Sequence, residues 1–400
     1  MGETRYIVAG NFIDGSGAGV RRNVVLVVEG VMLTAIGSAA DLPRNTGVAI
    51  DDFSHCTLLP ALVDCSVSLS RSPSMDRMVR VFFEESGFEK KAAMFERHIR
   101  DCHAHGVLGV ADGDDLTDLI ASAQQGMASG DILDIRTAGR PCRDGQDCGA
   151  GSSLEGDFLR IVYSGNIEDE EAPLLQVRHA DLRHILLQRR GGRKVVVANG
   201  QQPVEEALAA GCDAIEQGYL MGEDNLRKMA EKNVLWIPSL LRAKNALDNS
   251  GSGGDVCCRF SQRYVAPGKP TPGAEAFWRK MLADQLAQLR LARKLGVNTA
   301  VGTGAGSAGI LHGESLVEEM KLFIKAGYSL EETIRCASEN GARFFGMEKL
   351  GALTVGRQAT FLIARGTVRQ LPRKLSYLEG IYVDGMPSGT YRKNPIKTVW

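Results

Sequence analysis

Along the first sixty residues, short apolar runs alternate with turn residues. Tyr6–Ala9, Val24–Val28 and Met32–Ile36 are β-branched or apolar, and Asp14-Gly15-Ser16-Gly17 and Glu29-Gly30 punctuate them, a pattern that predicts short strands. After Pro60 the rhythm changes. From there to about Phe345, short apolar segments alternate with stretches of 3.6-residue period, as βα units around a parallel sheet require. Lys194–Ala198 predicts one strand, after which Pro203 opens a helix with Glu205 and Glu206 in its first turn and Gly211 at its end. Asp213–Glu216 predicts the next strand. A helix follows with Leu226, Met229 and Ala230 turned inward and Asn233 as its stop, and then a strand over Val234–Leu240. Glu275–Leu295 predicts a long helix with Trp278, Leu282, Leu286, Leu289 and Leu295 on one face, delivering the chain to a strand at Val297–Val301. Ser315-x-x-Glu318 and Ser329-x-x-Glu332 read as capping boxes, with Gly327 ending the helix between them.

From Gly351 the tail returns to strands, at Thr360–Ile363 and Gly380–Asp384. β material at both ends with βα units between predicts an α/β fold. Residues 61–349 would form a (β/α)8 barrel, and residues 1–60 and 350–400 would join in a small composite β-sandwich domain. Asn249–Pro272 breaks the rhythm with Ser-Gly-Ser-Gly-Gly, Cys257-Cys258 and three prolines. It follows a strand, which places it on the C-terminal face of a barrel as a lid or as a loop without role.

Length agrees with that division, since 400 residues hold a barrel of ~250 residues and a smaller module. Lys+Arg 47 against Asp+Glu 48 gives a net charge of −1, so no basic excess exists to neutralise phosphates and nucleic acid is not an expected partner. The same near-neutrality does little to oppose association, which leaves a homo-oligomer or a protein partner open. The most apolar segment, Val24 to Ile36, is broken by Glu29 and Gly30, and no membrane span is expected. The first residues lack an apolar signal core, Tyr6 stands where myristoylation needs Ser or Thr, and nine scattered cysteines is an odd count; together these predict reduced thiols and a cytoplasmic location.

Several segments carry a family likeness. Thr57-Leu58-Leu59-Pro60-Ala61-Leu62-Val63-Asp64, Ala214-Ile215-Glu216-Gln217-Gly218, Ile237-Pro238-Ser239-Leu240 and Val301-Gly302-Thr303-Gly304-Ala305-Gly306 resemble the amidohydrolase superfamily, nearest its imidazolonepropionase-like and prolidase-like branch. His312 to Ile363, with Gly351-Ala352-Leu353-Thr354-Val355-Gly356 as a re-entry turn, resembles the end of the family's barrel and its return to the β module. The resemblance spans essentially the whole chain and implies a TIM-like barrel flanked by a β domain built from both termini.

It also implies one or two divalent metals at the barrel mouth, and there the match stops. Where the family carries His-x-His after the first barrel strand, this chain has Ser66-Val67-Ser68; Arg160 stands for the carboxylated lysine. Asn199 falls in the place of a His-Ala-His-Gly histidine, Gln217 in that of the Ile-Glu-His-Gly histidine, and Gly304 in that of the Gly-Thr-Asp aspartate, the family's general base. Zinc takes deprotonated nitrogen, sulfur or carboxylate, and none of these replacements supplies it well. No resident cofactor or metal is therefore expected.

Other residues could in principle rebuild a site. His103-Ala104-His105 copies the ligand spacing but reads as a helix C-terminus, where imidazole suits the dipole. His179 and His184 read as barrel exterior and His55 as β module, while His312, after the last barrel strand, is placed either to face the pocket or to cap a loop. Cys65, Cys142, Cys148, Cys257 and Cys258 lie on or next to the same barrel face, where they would be reduced thiols or a soft-metal or redox site. Arg160 needs an anion: Glu216 or Asp64 from the protein, or a small anionic ligand. The expected function is an amidohydrolase-like protein without its metal centre, acting as scaffold, regulatory subunit or small-ligand binder, with Ser66, Ser68, Arg160, Asn199, Gln217, Gly304 and His312 lining a degenerate pocket and no catalytic residue assigned. Alternatives are a hydrolase of C–N bonds in cyclic amides or small peptides with a non-standard site, and a metal or redox protein using the loop cysteines.

Overall fold

A computed structural model describes residues 4–42, 49–114, 116–127, 133–138, 156–164, 179–188, 191–250 and 273–389. The chain opens with β1 (Thr4–Phe12), β2 (Arg21–Glu29), β3 (Met32–Ser38) and β4 (Ala49–Pro60). β1 pairs antiparallel with β2 and parallel with β4, and β2 antiparallel with β3. Ile7 and Ala9 on β1 and Val24, Leu26 and Val28 on β2 recur at every second position, so one face of the sheet is apolar and buried.

The barrel follows. β5 (Leu62–Val67), β6 (Val107–Asp112) and β7 (Asp134–Thr137) form one parallel sheet, and β8 (Phe158–Val162), β9 (Arg193–Ala198), β10 (Ala214–Gln217) and β11 (Leu235–Ile237) form another. Individual hydrogen bonds join the two into a ring. Asp157 N donates to Thr137 O at 2.8 Å on one side. On the other, residues 298–305 run between β11 and β5: Trp236 N donates to Asn298 O at 2.8 Å, Cys65 N to Val301 O at 2.9 Å and Gly304 N to Ser66 O at 2.7 Å. Strands such as β5, β6 and β10 are buried at every position, which is why they lack the apolar–polar alternation of a strand with one face in water; their polar residues, such as Asp64, Ser66 and Glu216, are buried with the rest.

Around the ring lie α1 (Arg77–Glu84), α2 (Phe88–Ala104), α3 (Thr117–Gly126), α4 (His179–Gln188), α5 (Gln201–Ala210), α6 (Glu223–Lys232), α7 (Leu240–Ser250), α8 (Ala274–Leu295), α9 (Glu314–Lys325), α10 (Leu330–Cys336) and α11 (Glu339–Phe345). The stops at Gly211, Asn233 and Gly296 adopt left-handed backbone, as helix C-caps do. Leu282, Leu286 and Leu289 of α8 are buried as the periodicity predicts. β12 (Phe361–Arg365), β13 (Leu378–Val383) and β14 (Met386–Pro387) then return to the first sheet, β12 pairing antiparallel with β4. The small β domain of both termini is thus a seven-stranded sheet in the order β14-β13-β12-β4-β1-β2-β3.

Two local expectations are corrected. The Ser329–Glu332 capping box forms at α10, but α9 starts one residue before Ser315 with Gly313 as its cap. Ser315 is buried and its hydroxyl accepts from Leu311 N at 2.8 Å, holding the preceding turn instead. The strand predicted over Val234–Leu240 ends at Ile237, because Ser239 turns to φ 46° and Leu240 begins α7. Most of the Asn249–Pro272 loop, including Cys257 and Cys258, lies outside the described residues, as do Cys142 and Cys148.

Candidate functional site at the barrel mouth

Period-2 geometry sets the site. Asp64 and Ser66, two apart on β5, share one face, and β8 and β10 contribute Arg160 and Glu216. Arg160 grips Glu216 with two parallel bonds, Nε to Oε2 at 2.7 Å and Nη2 to Oε1 at 2.9 Å, and Ser66 Oγ donates to Oε1 at 2.8 Å. Three barrel strands are thereby tied through one carboxylate. Burial pushes Glu216 up, yet the Arg160 charge and hydrogen bonds, with Arg242 and Ser66, outweigh it and hold the carboxyl below its usual range. Of the two anions the sequence offers Arg160 from within the chain, Glu216 is the partner.

Asp64 is bound elsewhere. Its Oδ1 accepts from Thr303 N at 2.9 Å and Ser66 N at 3.2 Å, and its Oδ2 from Thr303 Oγ1 at 2.6 Å. Burial raises its pKa to about 6 against the pull of those bonds. Asp112, at the end of β6, accepts from Leu69 N at 2.6 Å and Asp114 N at 2.9 Å, and burial followed by the Asp114 charge raises it well above the carboxylate range.

Asn199 and Gln217 face each other, with Asn199 Nδ2 donating to Gln217 Oε1 at 2.8 Å and Tyr219 N donating to Asn199 Oδ1 at 3.0 Å. Gln217 has φ 70°, a left-handed conformation that a non-glycine residue keeps only when held. It is held through its carbonyl, which accepts from Trp236 Nε1 at 2.9 Å and Gln285 Nε2 at 2.8 Å. Gly304 has φ 75°, and a Cβ placed there would lie 2.5 Å from Nε and 2.6 Å from Nη2 of Arg242. Arg242, in the first turn of α7, donates from Nη1 to Ser307 Oγ at 3.1 Å. Its helix is anchored by buried Glu319 of α9, which accepts from Leu240 N at 2.8 Å and Leu241 N at 2.7 Å. Nothing local in the sequence marks Arg242 or Glu319; the glycine at 304, whose missing side chain makes room for a guanidinium, is the signal that bears on Arg242.

His312 is buried and its Nε2 donates to Ser68 O at 3.0 Å, while its ring stacks at 3.8 Å on His98 of α2, whose Nδ1 donates to Leu69 O at 2.8 Å. The two imidazoles pin the carbonyls that follow β5. Burial holds His98 at about 4 and His312 well below its usual range, so both are neutral supports. Ser68 enters through its backbone, its N donating to Ala305 O at 2.8 Å. His103 and His105 end α2 as expected, His105 Nδ1 donating to Asp101 O at 2.7 Å, and His184 is exposed on α4. Cys65 is buried, and burial with the Asp64 charge pushes its thiol well up, which makes it a poor nucleophile or ligand.

A scan against family models matches residues 195–396 to the amidohydrolase family. The chain belongs to that family. Among solved structures it is similar to a Xaa-Pro dipeptidase with bound methionine, at 18% identity and a TM-score of 0.78, covering 96% of this chain and 100% of that one. It is similar to ochratoxinase of A. niger, at 16% identity and a TM-score of 0.78 over 96% of this chain and 95% of that one. Molinate hydrolase matches at 16% identity and a TM-score of 0.74 over 97% and 95%. No curated protein matches in sequence. These identities show a shared fold, the TIM-like barrel with a small β domain.

The residues at this amidohydrolase mouth do not fit the divalent metals that the resemblance implies. Ser66, Asn199 and Gln217 offer neutral oxygen, Gly304 offers none, and Arg160 brings a positive charge to the place of a ligand. Arg242 lies against Gly304, so a second cation sits where a metal's carboxylate would stand. Among the described residues no group of three or more His, Cys, Asp or Glu side chains is placed to hold a metal ion.

Proposed function

We propose that this amidohydrolase-family chain binds a small carboxylate-bearing amide at the barrel mouth through guanidinium charge, without a resident metal and without hydrolysing it. The observation that carries the reading is the bidentate Arg160–Glu216 pair with Ser66. A carboxylate held below its usual pKa is a poor general base, and Ser66, donating to it, is not activated as a nucleophile. Burial raises Asp64 to about 6, but both its oxygens are occupied by donors. Arg160 leaves Nη1 without a hydrogen-bond partner among the described residues, and its side chain is 17% exposed, so the two N–H donors of Nη1 remain for a ligand carboxylate.

The test uses purified full-length chain with N-acetyl-L-proline, its methyl ester and glycyl-L-proline. Saturable thermal stabilisation by the acid but not the ester, with glycyl-L-proline left intact, is the expected result. At a hundredfold excess over Kd the gain is about 2.7 kcal/mol. Stoichiometric zinc, manganese or iron in protein purified without added metal overturns the proposal.

Kinship favours a second reading more directly: hydrolysis of C–N bonds in cyclic amides or small peptides by a non-standard site. The dipeptidase and molinate hydrolase among the similar structures are hydrolases by name. Cleavage of glycyl-L-proline that survives chelation and is lost in Arg160→Met would establish this reading and sink the first.

A further inference from the structure

α1 is an amphipathic helix that buries none of its residues. Met78 is 72% exposed, Phe82 51% and Val79 37%, Phe88 at the start of α2 is 51% exposed, and Lys90 Nζ lies 4.6 Å from the centre of the Phe82 ring. Met78 and Phe82, four apart, form one stripe with Val79. Such a stripe gains nothing from facing water, and adjacent exposed side chains of this size amount to a patch of a few hundred Å², on the scale that marks an interaction surface.

The charges of α1 say what covers it. Arg77 at the N-terminal end and Glu84 and Glu85 at the C-terminal end are exposed and form no ion pair among the described residues. Asp76 caps the helix, its carboxylate accepting from Met78 N at 2.8 Å, but Arg77 and Arg80 leave the first half of the helix net basic and Glu84 and Glu85 leave its end acidic, the reverse of the order that the helix dipole prefers. Laid antiparallel against itself, the helix sets Arg77 of one copy beside Glu84 and Glu85 of the other, opposes the two dipoles and buries both apolar stripes. A two-fold interface requires such self-complementarity, since each surface must match itself after rotation.

We infer that α1 is the core of a two-fold interface between copies of this chain. A stable dimer buries roughly 800 Å² per partner, so the patch of α1 supplies about half and the dimer is a modest one, dissociating on dilution. Residues 68–76, which join β5 to α1, include the Ser68 carbonyl held by His312 and the Arg71–Asp114 ion pair at 3.3 Å, so the interface adjoins the barrel mouth. The inference does not depend on what the mouth binds.

Sedimentation velocity of the full chain over a wide concentration range tests it. A monomer–dimer equilibrium is expected, with Phe82→Glu and Arg77→Glu each raising the dimer Kd by at least about tenfold. Both positions are exposed, so an unchanged circular-dichroism melt shows that the fold survives. The decisive variant joins Arg77→Glu to Glu84→Lys and Glu85→Lys: reversing both ends restores the pairing and with it the wild-type Kd. A chain monomeric at all concentrations, a dimer indifferent to Phe82→Glu, or a triple variant as weak as Arg77→Glu alone each overturns the inference.

Discussion

Removing Arg160 tests the central feature of the mouth. In Arg160→Met, Glu216 keeps the Ser66 hydroxyl as a donor but loses two charged bonds, and the residue is 1% exposed. An orphaned buried carboxylate escapes by taking up a proton. From its reference value of 4.5, that costs about 3 kcal/mol at pH 7 and about 1 kcal/mol at pH 5. The variant's loss of stability is therefore large at neutral pH and shrinks in acid. Glu216→Met leaves the cation instead; Arg160 retains some access to water and cannot deprotonate, so the loss is about 3 kcal/mol at either pH. Replacing both by Met removes both desolvation costs and falls within about 1–2 kcal/mol of wild type, a strongly non-additive cycle. Urea unfolding at pH 7 and pH 5 on the four proteins measures it. Additive losses, or an Arg160→Met penalty that does not change between the two pH values, would refute the claim that the pair neutralises itself inside the barrel.

Three further outcomes follow from the same region. Burial raises Glu319 from 4.5 to about 8, so the folded state keeps a proton that the unfolded chain has lost; stability falls as pH rises through that window, by up to about 5 kcal/mol. Glu319→Gln removes this dependence, and a slope between pH 5 and 8 equal to wild type would contradict it. His98 shifts the other way, from 6.5 to about 4, so the unfolded state binds the proton first and stability drops as pH falls through that range, by about 3 kcal/mol; His98→Gln flattens this acid limb in thermal melts. Gly304→Ala meets both a positive φ and the Arg242 guanidinium, costing about 2–4 kcal/mol, and adding Arg242→Ala recovers the overpacking share; equal stability of single and double variants would show that Arg242 does not occupy that space.

The scaffold was legible because its signals are local. Apolar runs at Lys194–Ala198 and Asp213–Glu216 and the periodic stripe of α8 specify strand and helix without reference to distant residues, and Gly211 and Asn233 stop helices through their own backbone preference. The site was legible only at positions where a motif marks the strand end, such as Ser66, Arg160 and Gly304. Arg242 reads in sequence as an ordinary polar residue of a helix, and what brings it to the mouth is Glu319, 78 positions from Leu241, capping the start of α7. His98 likewise depends on a partner on the far side of the chain, His312, and no local period announces a stacked pair.

What the mouth does with its acids bears most on function. Among the described residues four carboxyl groups lie buried there, and each is met by donors from the chain itself: Asp64 by Thr303, Asp112 by the Leu69 and Asp114 amides, Glu216 by Arg160 and Ser66, Glu319 by the Leu240 and Leu241 amides. Leaving any of them unanswered would cost several kcal/mol at such burial. In a metal site the same acids would be partly answered by the ion, and its removal would leave them repelling one another. Among the described residues these acids are met by peptide N–H, hydroxyl and guanidinium donors, and on the function proposed above the charge balance of the mouth closes without an exchangeable cation. Chelation should therefore leave the stability of this protein unchanged, and a melt that falls on adding a chelator, recovering when zinc is returned, would break that balance and the reasoning built on it.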